Sequence, residues 1–99
     1  MSFKIKDPQS ILVPKDQISS LIVIKQTVAY SIAKITDHNG KQKIGVRWNV
    51  SSKENSDPDK QNGTKECLGF PAFYGNPCWF ILPDEFLDLN FIQDVLTYF

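Results

Sequence analysis

The sequence feature that most constrains the fold is the turn Asp37-His38-Asn39-Gly40, which lies between two runs of β-branched and alternating apolar residues. An Asn-Gly pair supplies the two positive backbone φ angles that a type I′ hairpin turn requires. We therefore predict an antiparallel hairpin whose two strands are joined by Asn39-Gly40, with His38 paired to Lys41. This pairing fixes the register of both strands.

The predicted register puts small side chains opposite large ones on one face of the hairpin, as a packed sheet face requires. The pairs are Ile35 with Ile44, Ala33 with Val46, Ser31 with Trp48 and Ala29 with Val50. On this basis Trp48 is predicted to be a core residue. The opposite face is mixed and is expected to be partly solvated: Tyr30, Ile32, Lys34, Thr36, Lys43, Gly45, Arg47 and Asn49.

A short apolar run, residues 20–25, precedes the hairpin without clean alternation. This pattern is typical of a strand covered on both sides, so we interpret it as a central strand. The alternative is a single helix over residues 18–34, because apolar residues there also recur at roughly helical spacing after Pro14. The β-branched residues in this stretch and the hairpin after it favour strands.

The segment 51–66 contains no apolar side chain. A stretch of this composition cannot offset the ordering entropy of a packed element, so we predict a mobile polar insert. Since loop closure costs only about 0.6 kcal/mol per doubling of length, its deletion should be tolerated.

After the insert, an aromatic loop over residues 67–78 is followed by Trp79-Phe-Ile-Leu82, which we interpret as a buried strand ended by Pro83. A helical pattern over residues 86–98 then closes the chain, with acidic residues at its start. The predicted fold class is α+β. We expect an antiparallel sheet of four to five strands, with the C-terminal helix packed on the Trp48 face.

The chain has 99 residues, which suits one domain over residues 1–99. A monomer of this mass should expose about 5,700 Å². No apolar run approaches the length of a membrane span, and residues 1–14 have no signal-peptide core, so we expect a cytoplasmic protein without membrane contact.

Charge is balanced overall but divided along the chain. Residues 1–50 hold eight Lys/Arg against three Asp/Glu, whereas residues 51–99 hold three against eight. Such halves can fold onto each other or pair with a second copy of the chain.

Catalytic signals are absent from the sequence. His38 is the only imidazole, and neither GxGxxG nor GKS occurs. Asp84, Glu85 and Asp88 are better explained as helix-start charges than as an acid/base pair. We therefore predict no enzymatic activity, no cofactor and no metal site.

The two cysteines, Cys67 and Cys78, match neither zinc nor CxxC spacing. We expect free thiols, with a disulfide that closes the loop as the alternative.

Five short motifs resemble a group of small uncharacterised bacterial proteins, some carried on mobile gene cassettes. The motifs are Tyr30-Ser-Ile-Ala-Lys34, Ile44-Gly-Val-Arg-Trp-Asn49, Gly69-Phe-Pro, Gly75-Asn-Pro and Trp79-Phe-Ile-Leu-Pro-Asp84. The resemblance covers about residues 20–90 and implies a domain without a known activity. The polar insert and Phe73-Tyr74 depart from the pattern.

The strongest functional signal is the aromatic segment Phe70, Phe73 and Tyr74, because aromatic residues and Arg anchor protein interfaces. We predict a non-enzymatic protein-binding module that forms a homo-oligomer through this segment. Arg47 is expected nearby, with Tyr30 and Asn49 as further contact residues.

Arg47 has alternative roles: it can pair with a carboxylate of the C-terminal helix, stack on an aromatic ring or contact the partner. The alternative function is binding of single-stranded nucleic acid. In that case Lys34, Lys43 and Arg47 would contact phosphates while Tyr30 stacks on a base.

Overall fold

The computed structural model describes residues 2–99. Along the chain the elements are β1 (Lys4–Ile5), a 3-10 turn (Pro8–Ser10), β2 (Ser20–Gln26), β3 (Tyr30–Thr36), β4 (Gln42–Trp48), α1 (Ser52–Asn55), α2 (Pro58–Gln61), β5 (Glu66–Cys67), β6 (Ala72–Phe73), β7 (Asn76–Pro77), β8 (Phe80–Ile81), a second 3-10 turn (Asp84–Leu87) and α3 (Leu89–Leu96). Four strands form an antiparallel sheet in the order β2-β3-β4-β8, while β1 pairs with β5 and β6 with β7.

The predicted α+β class, with a four-stranded antiparallel sheet and a C-terminal helix, is confirmed. The alternative of one helix over residues 18–34 is wrong, because β2 and β3 occupy that range.

The turn between β3 and β4 has three residues rather than the predicted two. The Asp37 N–H donates to the Lys41 carbonyl over 2.8 Å. The Asp37 carboxylate accepts hydrogen bonds from the Asn39 and Lys41 N–H groups, both over 2.9 Å. Within this turn only Gly40 has a positive φ, +81°, as in a type I turn closed by a glycine bulge. The Asp37 side chain therefore stabilises a longer turn than the Asn-Gly pair alone predicts.

This difference shifts the predicted register by one residue and exchanges the two faces of β4. Ser31 pairs with Arg47, and Tyr30 pairs with Trp48. Arg47 and Asn49 point inward and are 3% and 2% exposed, whereas Trp48 points outward and is 56% exposed. The prediction of Trp48 as a core residue is wrong. The inward side chains of β3 are those predicted: Ser31, Ala33 and Ile35.

The hydrophobic core lies on the inner face of the sheet, under the chain segment that precedes β2. Its buried members are Ile11, Ile18, Leu21, Ala33, Ile35 and Trp79. The Trp79 indole N–H donates to the Ile11 carbonyl over 2.7 Å and so fixes the covering segment. Gly45 leaves room for this packing, since a Cβ there would overlap with the Ile35 side chain.

The strand predicted over residues 79–82 is shorter and more open than expected. Only Phe80–Ile81 form β8, and the Phe80 side chain is 57% exposed while Trp79 is buried. The prediction of a fully buried strand is therefore wrong, because β8 is an edge strand with one open face.

β2 lies at the opposite edge of the sheet, so its prediction as a central strand is also wrong. Ile22 and Ile24 are about 60% exposed on its outer side. The Gln9 side chain covers the free edge: its amide N–H donates to the Leu21 carbonyl over 2.7 Å, and its oxygen accepts the Val23 N–H over 3.1 Å. This side-chain amide takes the place of a neighbouring strand and protects the edge from further pairing.

The polar segment 51–66 contains α1 and α2, so the expectation that it holds no packed element is wrong. Ser51 and Glu54 form a capping box at the start of α1. Asp57 caps α2, which begins at Pro58. Hydrogen bonds to charged groups order this segment in place of apolar contacts. Its mobility stays a prediction, whereas the hydrogen bonds that Glu54 accepts from Leu68 and Gly69 lead us to expect that its deletion is costly.

The C-terminal helix α3 begins at Leu89 rather than Phe86, because a 3-10 turn precedes it. Asp88 caps the helix by accepting the Asn90 N–H over 2.9 Å. The turn is held against β4 by the Asp84 carboxylate, which accepts hydrogen bonds from Lys43 over 2.7 Å and from Lys41 over 3.2 Å.

Candidate functional site

The outer face of the sheet carries an open apolar groove of about 460 Å³. We call it the aromatic groove and define it by six of its lining residues: Tyr30, Ile32, Val46, Trp48, Phe70 and Phe80. Strand register brings these side chains together. Trp48 pairs with Tyr30 and is bridged to Phe70, and Val46 pairs with both Ile32 and Phe80.

Three aromatic side chains of the groove are more than half exposed. The exposed fractions are 56% for Trp48, 60% for Phe70 and 57% for Phe80. Scattered apolar residues are normal on protein surfaces, but a contiguous apolar patch marks an interaction site or a ligand groove. The arrangement can therefore bury a large apolar area against a partner.

The loop that carries Phe70 is held from beneath by Arg47. The buried guanidinium donates to the carbonyl oxygens of Leu68 and Cys78, and to that of Pro71 over 3.4 Å. Burial lowers the pKa of Arg47, while the Cys78 and Glu54 groups oppose this effect. Arg47 forms no ion pair within residues 2–99, so the predicted pair with the C-terminal helix is replaced by backbone carbonyls. Arg47 acts here as a positioning residue.

Asn49 is likewise buried beneath the groove rather than exposed in it. Its side-chain amide donates to the Thr27 carbonyl and to the Ser31 hydroxyl, both over 2.8 Å. These bonds connect β3, β4 and the loop between β2 and β3. In this structure Arg47 and Asn49 are not surface contact residues, because the register turns both inward.

Glu54 is a residue that the sequence interpretation did not single out, and it holds the same loop from the other side. Its carboxylate accepts hydrogen bonds from the Leu68 N–H over 2.7 Å and the Gly69 N–H over 2.9 Å. It also accepts the Ser51 N–H over 3.0 Å and the Lys60 ammonium over 3.1 Å.

Burial raises the pKa of Glu54, but these hydrogen bonds outweigh burial and bring the pKa to about 2. The Glu54 carboxylate is therefore ionised at neutral pH. The Ser51-x-x-Glu54 capping box was the sequence signal for part of this arrangement.

Phe73 and Tyr74 lie apart from the lining of the aromatic groove, at the tip of the β6-β7 hairpin. Tyr74 and Gly75 have positive φ angles of 50° and 77°, as a two-residue type I′ turn requires. The two rings meet edge to face with centroids 4.5 Å apart, and Tyr74 is 90% exposed. The predicted site residues thus separate into three sets: Tyr30 and Phe70 in the groove, Phe73 and Tyr74 at the hairpin tip, and Arg47 and Asn49 in the interior.

The cations proposed for phosphate binding are not presented together. Lys43 is paired with Asp84, and Arg47 is buried against backbone carbonyls. Lys34 is exposed on the outer face. A nucleic-acid site needs several available cations along one groove, so this geometry does not favour the alternative function.

The thiols and the imidazole show no arrangement for nucleophilic catalysis among residues 2–99. Cys67 and Cys78 are free and buried, as expected from their spacing. Burial raises the pKa of the Cys67 thiol, the opposite of what a nucleophilic cysteine requires. A ring nitrogen of His38 lies 2.8 Å from the Lys15 carbonyl, with which it forms a hydrogen bond.

No group of three or more His, Cys, Asp or Glu side chains in the described part of the chain is placed to bind a metal ion. None of the helices within residues 2–99 is long and apolar enough to span a membrane.

Comparison with family models, with curated proteins and with solved structures found no match to this chain. The resemblance to small bacterial proteins stays a prediction.

Proposed function

We propose that this chain is a non-catalytic protein-binding module that self-associates through the aromatic groove. The observation that carries the proposal is the contiguous exposure of Trp48, Phe70 and Phe80 on one face of the sheet. Tryptophan and tyrosine are the residue types that most often dominate binding energy, and aromatic residues are enriched at the centres of interfaces.

The total surface supports self-association. The chain exposes 6752 Å², whereas a monomer of its mass should expose about 5,700 Å². The excess, about 1,000 Å², is comparable to the roughly 800 Å² that each partner buries in a stable interface. The radius of gyration agrees: it is 14.8 Å, against about 13 Å for a compact chain of this length.

Contacts within the chain hold the groove in place. Arg47 and Glu54 hold the backbone of the Phe70 loop from two sides, and the Trp48–Phe70 bridge fixes the wall of the groove. A preorganised surface loses less entropy on binding, so more of the burial free energy appears as affinity.

Trp48 provides a direct test, because the other tryptophan, Trp79, is buried and bound to Ile11. The experiment measures molar mass by light scattering, and Trp emission in parallel, at protein concentrations from about 1 μM to about 1 mM. This range covers the Kd values of weak dimers. We expect the mass to rise to that of an oligomer while the emission shifts to shorter wavelength. The Trp48→Phe variant should lose the emission shift and should associate more weakly than wild type, because it removes an indole that the contact buries.

Two further measurements decide the proposal. The Phe80→Glu variant places a charge in the groove and should remain monomeric, whereas Leu12→Glu, an equivalent change at an exposed residue beside the covered inner face, should assemble normally. Association should weaken far less between about 50 and 200 mM salt than binding through several phosphates does. A wild-type protein that stays monomeric throughout, with Phe80→Glu indistinguishable from it, would overturn the proposal.

A further inference from the structure

The C-terminal helix α3 leaves two of its leucine side chains, Leu89 and Leu96, largely exposed. None of the residues of α3, all of them described, is fully buried. Its Phe91 ring packs against Phe86 of the preceding turn, with centroids 5.3 Å apart. Leu89 and Leu96, two turns apart on one side of the helix, are 69% and 61% exposed. A helix of eight residues is marginal unless its apolar side is packed.

We infer that α3 of a second copy of this chain occupies the aromatic groove, and that the exchange is reciprocal. This inference rests on the proposed function and names the occupant of the groove. The two unpartnered apolar surfaces, Leu89 and Leu96 on the helix and Trp48, Phe70 and Phe80 on the sheet, cover each other. Because each chain gives one helix and receives one, the contact closes into a two-fold dimer.

Charge favours the same arrangement. The 3-10 turn and helix carry Asp84, Glu85, Asp88 and Asp94 and, over residues 84–99, no basic residue. Of these, Asp84 is already paired with Lys41 and Lys43 of its own chain. The remaining acidic groups make no ion pair within residues 2–99.

The outer face of the sheet has complementary cations. Lys34 lies two residues from Ile32 on β3 and so points to the same face. Lys25 is the register partner of Ile32. Both lysines are exposed, and neither has an ion pair in the described part of the chain. An acidic helix that docks on this face therefore meets basic side chains. The outer sheet face of a second copy would instead bring lysines against lysines, so charge favours α3 as the occupant of the groove.

The dimensions match as well. A helix of eight residues is about 12 Å long, and four strands span about 14 Å from edge to edge. The helix therefore fits across the sheet without projecting beyond it.

The test is a complementation experiment with exposed positions only. One variant, the helix variant, carries Leu89→Glu and Leu96→Glu; the other, the groove variant, carries Phe80→Glu; Leu12→Glu is the control. We expect wild type and control to be dimers and both variants to be monomers by light scattering. An equimolar mixture of the two variants should form mixed dimers, with a higher Kd than wild type, because one of the two helix–groove contacts is intact.

The outcomes separate the inference from the proposed function. If the helix variant still dimerises while the groove variant does not, the groove is used but α3 is not its occupant, and the inference is overturned. If wild type is monomeric and the groove variant equals it, the proposed function fails, and the inference with it. Circular dichroism checks the fold of each variant. The milder Leu96→Gln change should raise the dimer Kd about tenfold, and an unchanged Kd contradicts the inference.

Discussion

The Glu54 carboxylate accepts the Gly69 N–H over 2.9 Å from a position 15 residues earlier in the chain. The same carboxylate accepts the neighbouring Leu68 N–H, while Arg47 donates to the Leu68 carbonyl. An anion and a cation thus hold one stretch of backbone through its own donors and acceptors. By holding this stretch, Glu54 and Arg47 determine the position of the next residue, Phe70, which lines the aromatic groove.

Substitution of Glu54 by Gln should cost about 2 kcal/mol, or roughly 8–16 °C in Tm, because the N–H groups of Ser51, Leu68 and Gly69 lose an ionised acceptor. The folded pKa, about 2, lies below the ordinary value of 4.5. The stabilisation is therefore present above pH 4.5 and is lost as the pH falls through about 2. Urea denaturation across this range should show a smaller loss for Glu54→Gln than for wild type, because Asp84, whose pKa is lowered by its hydrogen bonds to Lys43 and Lys41, titrates in both proteins. Glu85→Gln, at an exposed carboxylate, serves as the control and should match wild type.

Deletion of the polar segment should now be costly, in contrast to what its composition predicts. Replacing residues 52–65 by a short Gly-Ser bridge removes Glu54 and leaves the Leu68 and Gly69 N–H groups without their acceptor. We expect Tm to fall by more than about 8 °C, which is on the order of 1–2 kcal/mol for a chain of this size. A smaller change in thermal unfolding would show that the segment is dispensable, as predicted from the sequence.

Arg47 should be more important for stability than any exposed cation. Arg47→Met leaves the Leu68, Pro71 and Cys78 carbonyls without their buried donor and should cost about 3 kcal/mol. Arg47→Lys keeps the charge but not the planar fork of donors, so an intermediate loss is expected. Chemical denaturation measures both, with Lys34→Met as a control expected within about 0.5 kcal/mol of wild type. Equal losses for Arg47→Met and Lys34→Met would contradict the positioning role.

Two glycines with nearly the same backbone angle should respond very differently to alanine. Gly69 and Gly75 have φ of +72° and +77°. A Cβ at Gly69 would overlap with the Trp48 carbonyl oxygen and the Arg47 guanidinium, whereas nothing lies within 4 Å of one at Gly75. We expect Gly75→Ala to cost about 1 kcal/mol for the backbone alone. Gly69→Ala should cost at least about 3 kcal/mol, and similar unfolding midpoints for the two variants would refute the close packing at Gly69.

Removal of the Gln9 amide should expose the edge of β2. Gln9→Ala leaves the Leu21 carbonyl and the Val23 N–H free to pair with another chain. We expect slow growth of particles larger than a dimer, followed by light scattering at constant concentration. Gln17→Ala removes an exposed amide with no such contact and should remain stable. Particle growth at the same rate in both variants would show that the Gln9 amide does not protect the edge of β2.

The sequence predicted that the candidate site is aromatic, but it did not predict which residues form it. Aromatic enrichment indicated an interface, and Tyr30 and Phe70 do line the groove. Trp48 was assigned to the core, and Arg47 and Asn49 to the surface, because the predicted register was shifted by one residue. Phe80 was assigned to the core because β8 was interpreted as a fully buried strand, whereas it lies at the edge of the sheet. A shift of one residue exchanges the two faces of a strand, so a small error in the turn became a complete exchange of inner and outer side chains.

The sequence by itself determined the features that depend on neighbours a few residues apart. Alternation and β-branching place β3 and β4, and the side chains of Ser51, Asp57 and Asp88 start their helices. Only the tertiary structure decided which face of β4 is inside. That choice depends on contacts between distant residues: Arg47 with the loop carbonyls more than 20 positions later, and Gly45 with Ile35 and Trp79. Burial of the Arg47 guanidinium is favourable only when three loop carbonyls are in place to accept its hydrogen bonds, and this burial leaves Trp48 exposed on the other face. No local pattern in the sequence encodes the positions of those carbonyls.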